Sequence, residues 1–233
     1  MIHFRIILTF VFVIFVGCDF LPKQNKSIGT IETKDKKVCD SMGVDLEVYK
    51  RIREFSDGKI EPFHYSLSRA ISDSNELEIN PIHLKGITID IKNTDSYNTI
   101  FSLKDEFKKK GYTIFMLENN FSVNDKPDRL GIFKTTDKYK ILRDIKTSAF
   151  NYDIDNDSLI HIIQRWDKDL DLELIGASGD YCEFLINKDP QNWRELAQQI
   201  YNICPDVVNQ GTGYLVVYKN EMMKNKRLYL WWD

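Results

Sequence analysis

The sequence predicts an α+β fold, in which a mostly antiparallel sheet has helices packed on one side. Three observations support this prediction. Ile87, Ile89 and Ile91 alternate with polar residues, as in a half-buried strand. Several segments between such strands carry apolar residues at helical spacing. Residues 178–180 read Ser-Gly-Asp between two apolar runs, which indicates a hairpin. The order of the predicted strands and helices along the chain is compatible with two β-α-β-type halves.

The N-terminal half contains one clear helix before the strand at Ile87. Val48, Ile52 and Phe55 share one face of a helix predicted over residues 44–55. Residues 56–84 contain two prolines and only a weak helical pattern. That pattern is carried by Leu67, Ala70 and Ile71. The remaining predicted strands of this half span 87–91, 112–117 and 130–134. A helix is also predicted; its apolar positions run from 97 to 107, and Gly111 caps its C-terminal end.

The C-terminal half alternates helices and strands more regularly. Asp137 is the predicted N-cap of a helix that carries Tyr139, Leu142 and Ile145. Asp189 and Pro190 suit the N-cap and first position of a later helix, which Pro205 ends. The other predicted elements are helices over 159–170 and 215–222 and strands over 172–177, 181–186 and 228–232.

The first eighteen residues have the layout of a secretory signal peptide. A short basic start precedes a run of eleven residues, 6–16, that is apolar except for Thr9, and Gly17 then precedes Cys18. This order resembles a bacterial lipobox, which implies cleavage before Cys18 and acylation of its thiol. An uncleaved membrane anchor is the alternative, but spanning a bilayer takes about 20 apolar residues. We therefore expect a lipoprotein that is attached to the membrane by palmitate-type acyl chains on Cys18, with its domain outside the cytoplasm. Whether the inner or the outer membrane holds it stays open.

These features divide the chain into four parts. We expect a signal peptide at residues 1–17 and a lipidated N-terminus with a flexible tether at 18–40. A helical or irregular segment follows at 41–85, and the α+β domain occupies 86–233.

The chain has 32 basic and 35 acidic side chains, a balance that argues against a nucleic-acid partner.

The cysteines beyond Cys18 give no indication of a metal site. Cys39, Cys182 and Cys204 form no C-x-x-C pair, so we expect neither zinc nor another cofactor. A disulfide is possible outside the cytoplasm, and burial of Cys182 and Cys204 as small apolar residues is the alternative. Residues 153–157 are rich in aspartate. An EF-hand loop that starts at Asp153 would need glycine at its sixth position and glutamate at its twelfth, but the chain has Ser158 and Gln164 there.

The C-terminal stretch has a distinctive motif. Trp193 is followed by Cys204-Pro205-Asp206, then by Gln210-Gly211, and finally by Leu230-Trp231-Trp232-Asp233. This pattern resembles a bacterial family of unknown function, DUF4253, most clearly over residues 130–233. The resemblance implies a fold but no activity.

The same motif supplies the candidate site. If the last strand lies beside the helix that ends near Cys204, then the Asp206, Gln210 and Asp233 side chains converge. Paired carboxylates near aromatic rings bind cations or partners, or transfer protons. The structural alternative is that Asp206 caps a turn, Gln210 satisfies a loop, and one tryptophan belongs to the core. The candidate ligand or partner site consists of Asp206, Gln210, Gly211, Trp231, Trp232 and Asp233.

Two functions are compatible with these residues. The first is a membrane-tethered, non-catalytic domain, of the immunity or envelope-accessory type, that binds another protein through an acidic, aromatic surface. The alternative is a hydrolase in which Asp206 and Asp233 are the catalytic carboxylates and Gln210 orients the substrate. The lipid bilayer is the expected partner of Cys18 in both cases.

Overall fold

The computed structural model describes residues 33–65, 82–121 and 125–233. The strands are β1 (Ile60–Tyr65), β2 (Ile82–Ile91), β3 (Thr113–Glu118), β4 (Asp128–Phe133), β5 (Leu172–Ala177), β6 (Tyr181–Ile186) and β7 (Arg227–Trp231). The helices are α1 (Thr33–Met42), α2 (Leu46–Arg53), α3 (Ser96–Lys109), α4 (Lys138–Ile145), α5 (Asn156–Leu170), α6 (Trp193–Ile203) and α7 (Leu215–Asn225). A 3-10 turn (Phe150–Tyr152) precedes α5, and a π-helical turn (Val207–Thr212) joins α6 to α7.

The strands form a seven-stranded sheet in the order β1-β2-β4-β3-β5-β6-β7. Neighbouring strands are antiparallel except β3 and β5, which are parallel and meet at Met116 and Gly176. The α+β class and the mostly antiparallel sheet are therefore confirmed. This topology makes β2, β3, β5 and β7 run in the same direction. We call the end at which these four strands finish the carboxyl end of the sheet.

Helices cover both faces of the sheet rather than the single face expected from the sequence. Successive side chains of a strand point to opposite faces. In β3, Phe115 belongs to one core cluster, and Ile114 and Met116 belong to the other. The first cluster also contains residues of α4, α5, α6 and α7, whereas the second contains residues of α1, α2 and α3. Each half of the chain thus supplies the helical layer of one face.

Helix caps agree with the sequence in one case and differ in another. The Asp137 carboxylate accepts hydrogen bonds from the backbone N–H groups of Tyr139 (2.9 Å) and Lys140 (3.1 Å), so this cap is confirmed. The expected cap of α6 was wrong: Asn192 accepts from its first N–H groups. Asp189 forms an ion pair with Lys226 instead.

The N-terminal part is more ordered than the sequence indicates. α1 begins at Thr33, inside the stretch that was assigned to the tether. β1 and the first residues of β2 belong to the sheet, although the expected domain began at residue 86. Cys18 and the weak helical pattern of Leu67, Ala70 and Ile71 lie outside the described residues. Among the residues that the structure describes, no helix is long and apolar enough to cross a membrane.

Candidate functional site

A buried carboxylate organises the C-terminal motif. Asp206 is 5% exposed. Its carboxylate accepts hydrogen bonds from the Tyr152 hydroxyl (2.6 Å) and from the backbone N–H of Asp233 (3.1 Å). Burial raises the pKa of Asp206, but the hydrogen bonds from Tyr152, Asp233 and the Gln210 side chain outweigh burial, so the pKa lies below its usual range. The sequence predicted that the Asp206, Gln210 and Asp233 side chains converge. Gln210 does contact Asp206 through its side chain, but Asp233 does so through its backbone N–H, and Tyr152 was not predicted.

Side chains from neighbouring helices close the outer edge of β7. The Cys204 thiol accepts a hydrogen bond from the backbone N–H of Trp231 (3.2 Å) and donates one to its carbonyl (3.0 Å). The Tyr218 hydroxyl donates to the Tyr229 carbonyl at 2.9 Å. An edge strand with unpaired backbone groups is a template for unwanted pairing. We call this set the clasp; it consists of Tyr152, Cys204, Asp206 and Tyr218 and their contacts with β7 and Asp233.

The two tryptophans of the motif lie on opposite faces of the sheet. Trp232 is 3% exposed, and its indole N–H donates to the Ile203 carbonyl at 2.8 Å. Trp231 is half-buried and also contacts the core cluster on the other face. Gly211 has no positive φ, whereas Gly213 has a φ of +76° where the chain turns into α7. The motif therefore does not form a single pocket around its aromatic rings.

An exposed surface surrounds the clasp at the carboxyl end of the sheet. Phe150 is 84% exposed and Tyr214 is 73% exposed. Two hydrogen bonds connect the surrounding loops: Ser148 N–H donates to Gly179 O at 3.0 Å, and Trp232 N–H donates to Asp180 O at 3.0 Å. We call this the acidic-aromatic surface, and it consists of Phe150, Asp153, Asp180, Tyr214 and Asp233.

The charge of this surface is strongly negative. Residues 146–157, 178–180, 204–214 and 232–233 contain one basic side chain, that of Lys146, against six aspartates. Within the part of the chain that the structure describes, Asp153, Asp180 and Asp233 form no ion pair. The carboxylates that belong to this end are Asp153, Asp155, Asp157, Asp180, Asp206 and Asp233.

Two open clefts lie away from the motif. One has a volume of about 470 Å³ and the other about 310 Å³, and both are lined by Tyr139 and Asp167. Asp167 accepts hydrogen bonds from the Tyr139 hydroxyl and from the Lys138 ammonium. Burial raises its pKa, but these two donors outweigh burial, so the pKa lies below its usual range. Neither cleft is lined by Asp206 or Asp233.

A second buried charge joins α3 to β6 and β7. Glu183 is 3% exposed, accepts a hydrogen bond from Tyr97 (2.7 Å) and pairs with Arg227 (2.5 Å). The Arg227 guanidinium also lies 4.1 Å from the centroid of the Tyr97 ring. Burial raises the pKa of Glu183 despite the charge of Arg227. Its donors come from parts of the structure that are distant in sequence, so no local pattern predicts this cluster.

No described group of three or more His, Cys, Asp or Glu side chains is arranged to hold a metal ion. Cys39, Cys182 and Cys204 are buried and are not joined by disulfides. The Asp206 carboxylate of the clasp is thus satisfied by protein groups. The Glu183 carboxylate has two protein partners, but within the described part of the chain Arg227 Nε is buried without a hydrogen-bond partner. The side chains of the acidic-aromatic surface are exposed to solvent.

Comparison with known proteins identifies the C-terminal part of the chain. No curated protein and no solved structure matches it. A family model described as "Domain of unknown function (DUF4253)" matches residues 129–233. The matched residues run from β4 to the end of the motif, and they include the clasp and the acidic-aromatic surface. The resemblance expected from the C-terminal motif is therefore confirmed, since the DUF4253 family model matches residues 129–233.

Proposed function

We propose that this chain is a membrane-tethered lipoprotein whose folded part is a non-catalytic protein-interaction domain. In this proposal Cys18 carries the acyl chains, the domain lies outside the cytoplasm, and the partner binds to the acidic-aromatic surface. Two or three acyl chains give stable attachment to a membrane, whereas one gives only marginal binding. The signal-peptide layout of residues 1–17 supports this assignment of Cys18.

The exposure of Phe150 and Tyr214 is the observation that carries the binding part of the proposal. Large aromatic rings supply much of the binding energy of protein interfaces, and they are usually buried in a protein without a partner. Both rings lie next to the clasp in the chain. Phe150 is in the 3-10 turn whose Tyr152 bonds to Asp206, and Tyr214 lies two residues after the π-helical turn that follows Asp206. A surface that is ordered before binding loses less conformational entropy when its partner docks.

The geometry gives no comparable support to the hydrolase alternative. Both carboxylate oxygens of Asp206 accept hydrogen bonds from the protein. A general base needs an accessible lone pair, and a general acid needs a raised pKa. The pKa of Asp206 is lowered instead. The Asp233 side chain is exposed, and only its backbone N–H contacts Asp206. This arrangement favours a structural role for the Asp206 carboxylate.

The tether is tested by comparing the full chain with Cys18→Ala in bacterial membranes. We expect the wild-type protein to begin at Cys18, to carry the mass of the added lipids and to sediment with the membranes. We expect Cys18→Ala to lose both the lipid mass and the sedimentation. A wild-type protein that is unmodified and remains in the supernatant would contradict the lipoprotein assignment.

The binding surface is tested with paired variants of the lipidated protein. Detergent-solubilised envelope proteins are captured on immobilised wild type, on Phe150→Ala/Tyr214→Ala and on Phe101→Ala. Phe101 is a suitable control because its ring is 41% exposed but lies on α3. We expect one protein to be retained by wild type and by Phe101→Ala, and its recovery to fall at least about tenfold with the double variant. Equal recovery on all three proteins would refute the assignment of the surface.

A further inference from the structure

The chain enters the folded domain at the same end of the sheet that carries the acidic-aromatic surface. Asp35, in the first turn of α1, accepts a hydrogen bond from Arg53. Arg53 also donates to the Gly58 carbonyl at 2.6 Å. The Ser56 hydroxyl, in the same loop, donates to the carbonyl of Asp90 at 2.7 Å. Asp90 is the penultimate residue of β2, so the start of α1 lies at the carboxyl end of the sheet.

The length of the connecting chain limits the distance between this end and the membrane. Residues 19–32 separate Cys18 from α1, and they provide fourteen residues. Fully extended chain spans about 3.3–3.6 Å per residue, so this connection reaches at most about 50 Å. The opposite end of the sheet lies about 20 Å further away, because a six-residue strand rises about 3.3 Å per residue. The attachment point therefore lies at the carboxyl end, and the connection keeps this end within about 50 Å of the bilayer.

The charge of the surface decides between a lipid and a protein as its occupant. Exposed aromatic rings alone would suit the interface of a membrane. However, Asp153, Asp180 and Asp233 are exposed at the same end of the sheet as these rings, and the anionic lipids of a membrane repel carboxylates. A protein segment that carries lysine and arginine is attracted instead, and its cations also bind the faces of the Phe150 and Tyr214 rings.

We propose that the acidic-aromatic surface faces the bilayer and binds a basic aqueous segment of an integral membrane protein in the space between the domain and the membrane. This inference rests on the proposed function, because acylation of Cys18 is what places the domain there. Both proteins are then confined to the same membrane, which raises the effective concentration of each for the other. A contact of modest intrinsic affinity is sufficient under these conditions.

The experiment is photo-crosslinking of the full-length, lipidated chain in intact membranes. A benzoylphenylalanine probe replaces Phe150 or Tyr214, and control probes replace Asn187 or Gln191. The control positions are exposed and follow β6 at the opposite end of the sheet. We expect adducts from positions 150 and 214 with one integral membrane protein, within a segment rich in lysine and arginine. We expect little or no adduct from positions 187 and 191.

Charge variants test whether electrostatic attraction holds this contact. Asp153→Asn/Asp233→Asn removes two carboxylates from the surface. Asp40→Asn/Asp169→Asn makes the same change at exposed positions near the ends of α1 and α5, away from the surface. We expect the first pair to lower the crosslinking yield at least about fivefold and the second pair to leave it unchanged. Raising NaCl from about 0.1 M to about 1 M should also lower the wild-type yield, since the Debye length falls from about 10 Å to about 3 Å.

The other outcomes would overturn the inference. Adducts with lipid alone would make the bilayer the occupant, and adducts with a soluble protein would place the partner outside the membrane. Equal adducts from both ends of the sheet, or none from either end, would refute the orientation. If Cys18 is acylated and the surface binds a soluble protein, the proposed function stands and this inference fails. If Cys18 is not acylated, both fail.

Discussion

The hydrogen bond between Tyr152 and Asp206 provides the sharpest test of the clasp. We predict that Asp206→Asn and Tyr152→Phe each destabilise the domain and that their effects are coupled. Asp206→Asn keeps the shape of the side chain but replaces one acceptor oxygen with an amide donor. The Asp233 N–H can only donate, so it takes the remaining oxygen of the Asn side chain. The new amide then faces the Tyr152 hydroxyl, which has to rotate and accept, so both hydrogen bonds become neutral.

The expected magnitudes follow from the contacts that are lost. A hydrogen bond to a charged group contributes about 1.5–3 kcal/mol, and one between neutral groups contributes about 0.5–1.5 kcal/mol. Tyr152→Phe removes one charged bond and should lower the free energy of unfolding by about 2 kcal/mol. Asp206→Asn replaces two hydrogen bonds to a charged group with two neutral ones, so we expect about 2–3 kcal/mol. For a domain of this size, each kcal/mol lowers Tm by about 2–4 °C.

Urea unfolding at neutral pH, followed by tryptophan fluorescence, measures these changes. Because both variants act on the same hydrogen bond, the double variant should lose about 1–2 kcal/mol less than the sum of the single changes. Asp169→Asn is the control; its side chain is exposed, and we expect a change within about 0.5 kcal/mol. Additive effects of Asp206→Asn and Tyr152→Phe, or single changes below about 0.5 kcal/mol, would refute the clasp as a stabilising element.

Three further predictions concern the same domain. Cys204→Ala should lower the free energy of unfolding by about 2–4 kcal/mol, and by more than Cys182→Ala does. The reason is that Cys204→Ala also leaves the backbone N–H and carbonyl of Trp231 unpaired. Equal losses for the two variants in urea unfolding would contradict this prediction. Glu183→Gln should lower the free energy of unfolding by about 3 kcal/mol, since it leaves the buried charge of Arg227 without its partner. Adding Arg227→Met should restore part of this stability. A double variant that is less stable than Glu183→Gln would contradict the prediction. The hydrogen bond to Asp206, together with burial, raises the pKa of Tyr152 to about 12. The folded protein thus keeps the Tyr152 proton at a pH at which the unfolded chain, with an ordinary tyrosine pKa of 10.0, loses it. The resulting stabilisation is present below pH 10.0 and is lost as the pH rises towards 12. Ultraviolet titration should show one fewer late-titrating tyrosine in Tyr152→Phe.

Local pattern was sufficient for most of the elements. The strands predicted over 172–177 and 181–186 have the observed bounds, because their apolar residues are flanked by Asp171 and by the Ser-Gly-Asp turn. β1 was missed because Pro62 weakens a strand pattern, and an edge strand tolerates proline where a central one does not. The cap of α6 was misassigned because Asp189 and Asn192 are equally good caps in sequence. The ion pair of Asp189 with Lys226 depends on tertiary structure.

The candidate site was predictable only in part. Asp206, Gln210 and Asp233 were expected to converge because a helix end, a loop and a last strand were visible in the sequence. Tyr152 lies 54 residues before Asp206, and no periodic pattern connects the two. The exposure of Phe150 was not predictable either, since an isolated aromatic residue in a sequence is more often part of the core. Phe150 is exposed in the 3-10 turn that also contains Tyr152, and the bond from Tyr152 to Asp206 joins this turn to the clasp.

The acidic-aromatic surface thus depends on the clasp, whereas the clasp does not depend on the surface. The Tyr152 bond to Asp206 holds the loop that displays Phe150 and Asp153, and the Asp206 bond to Asp233 fixes the end of the motif. Loss of the clasp should therefore weaken binding by letting these loops move, even though no clasp side chain needs to touch the partner. In contrast, Phe150→Ala and Tyr214→Ala remove exposed rings and should leave stability almost unchanged. A Tyr152→Phe variant that remains folded at the assay temperature but binds less tightly would separate the supporting role of the motif from the contact role of the surface.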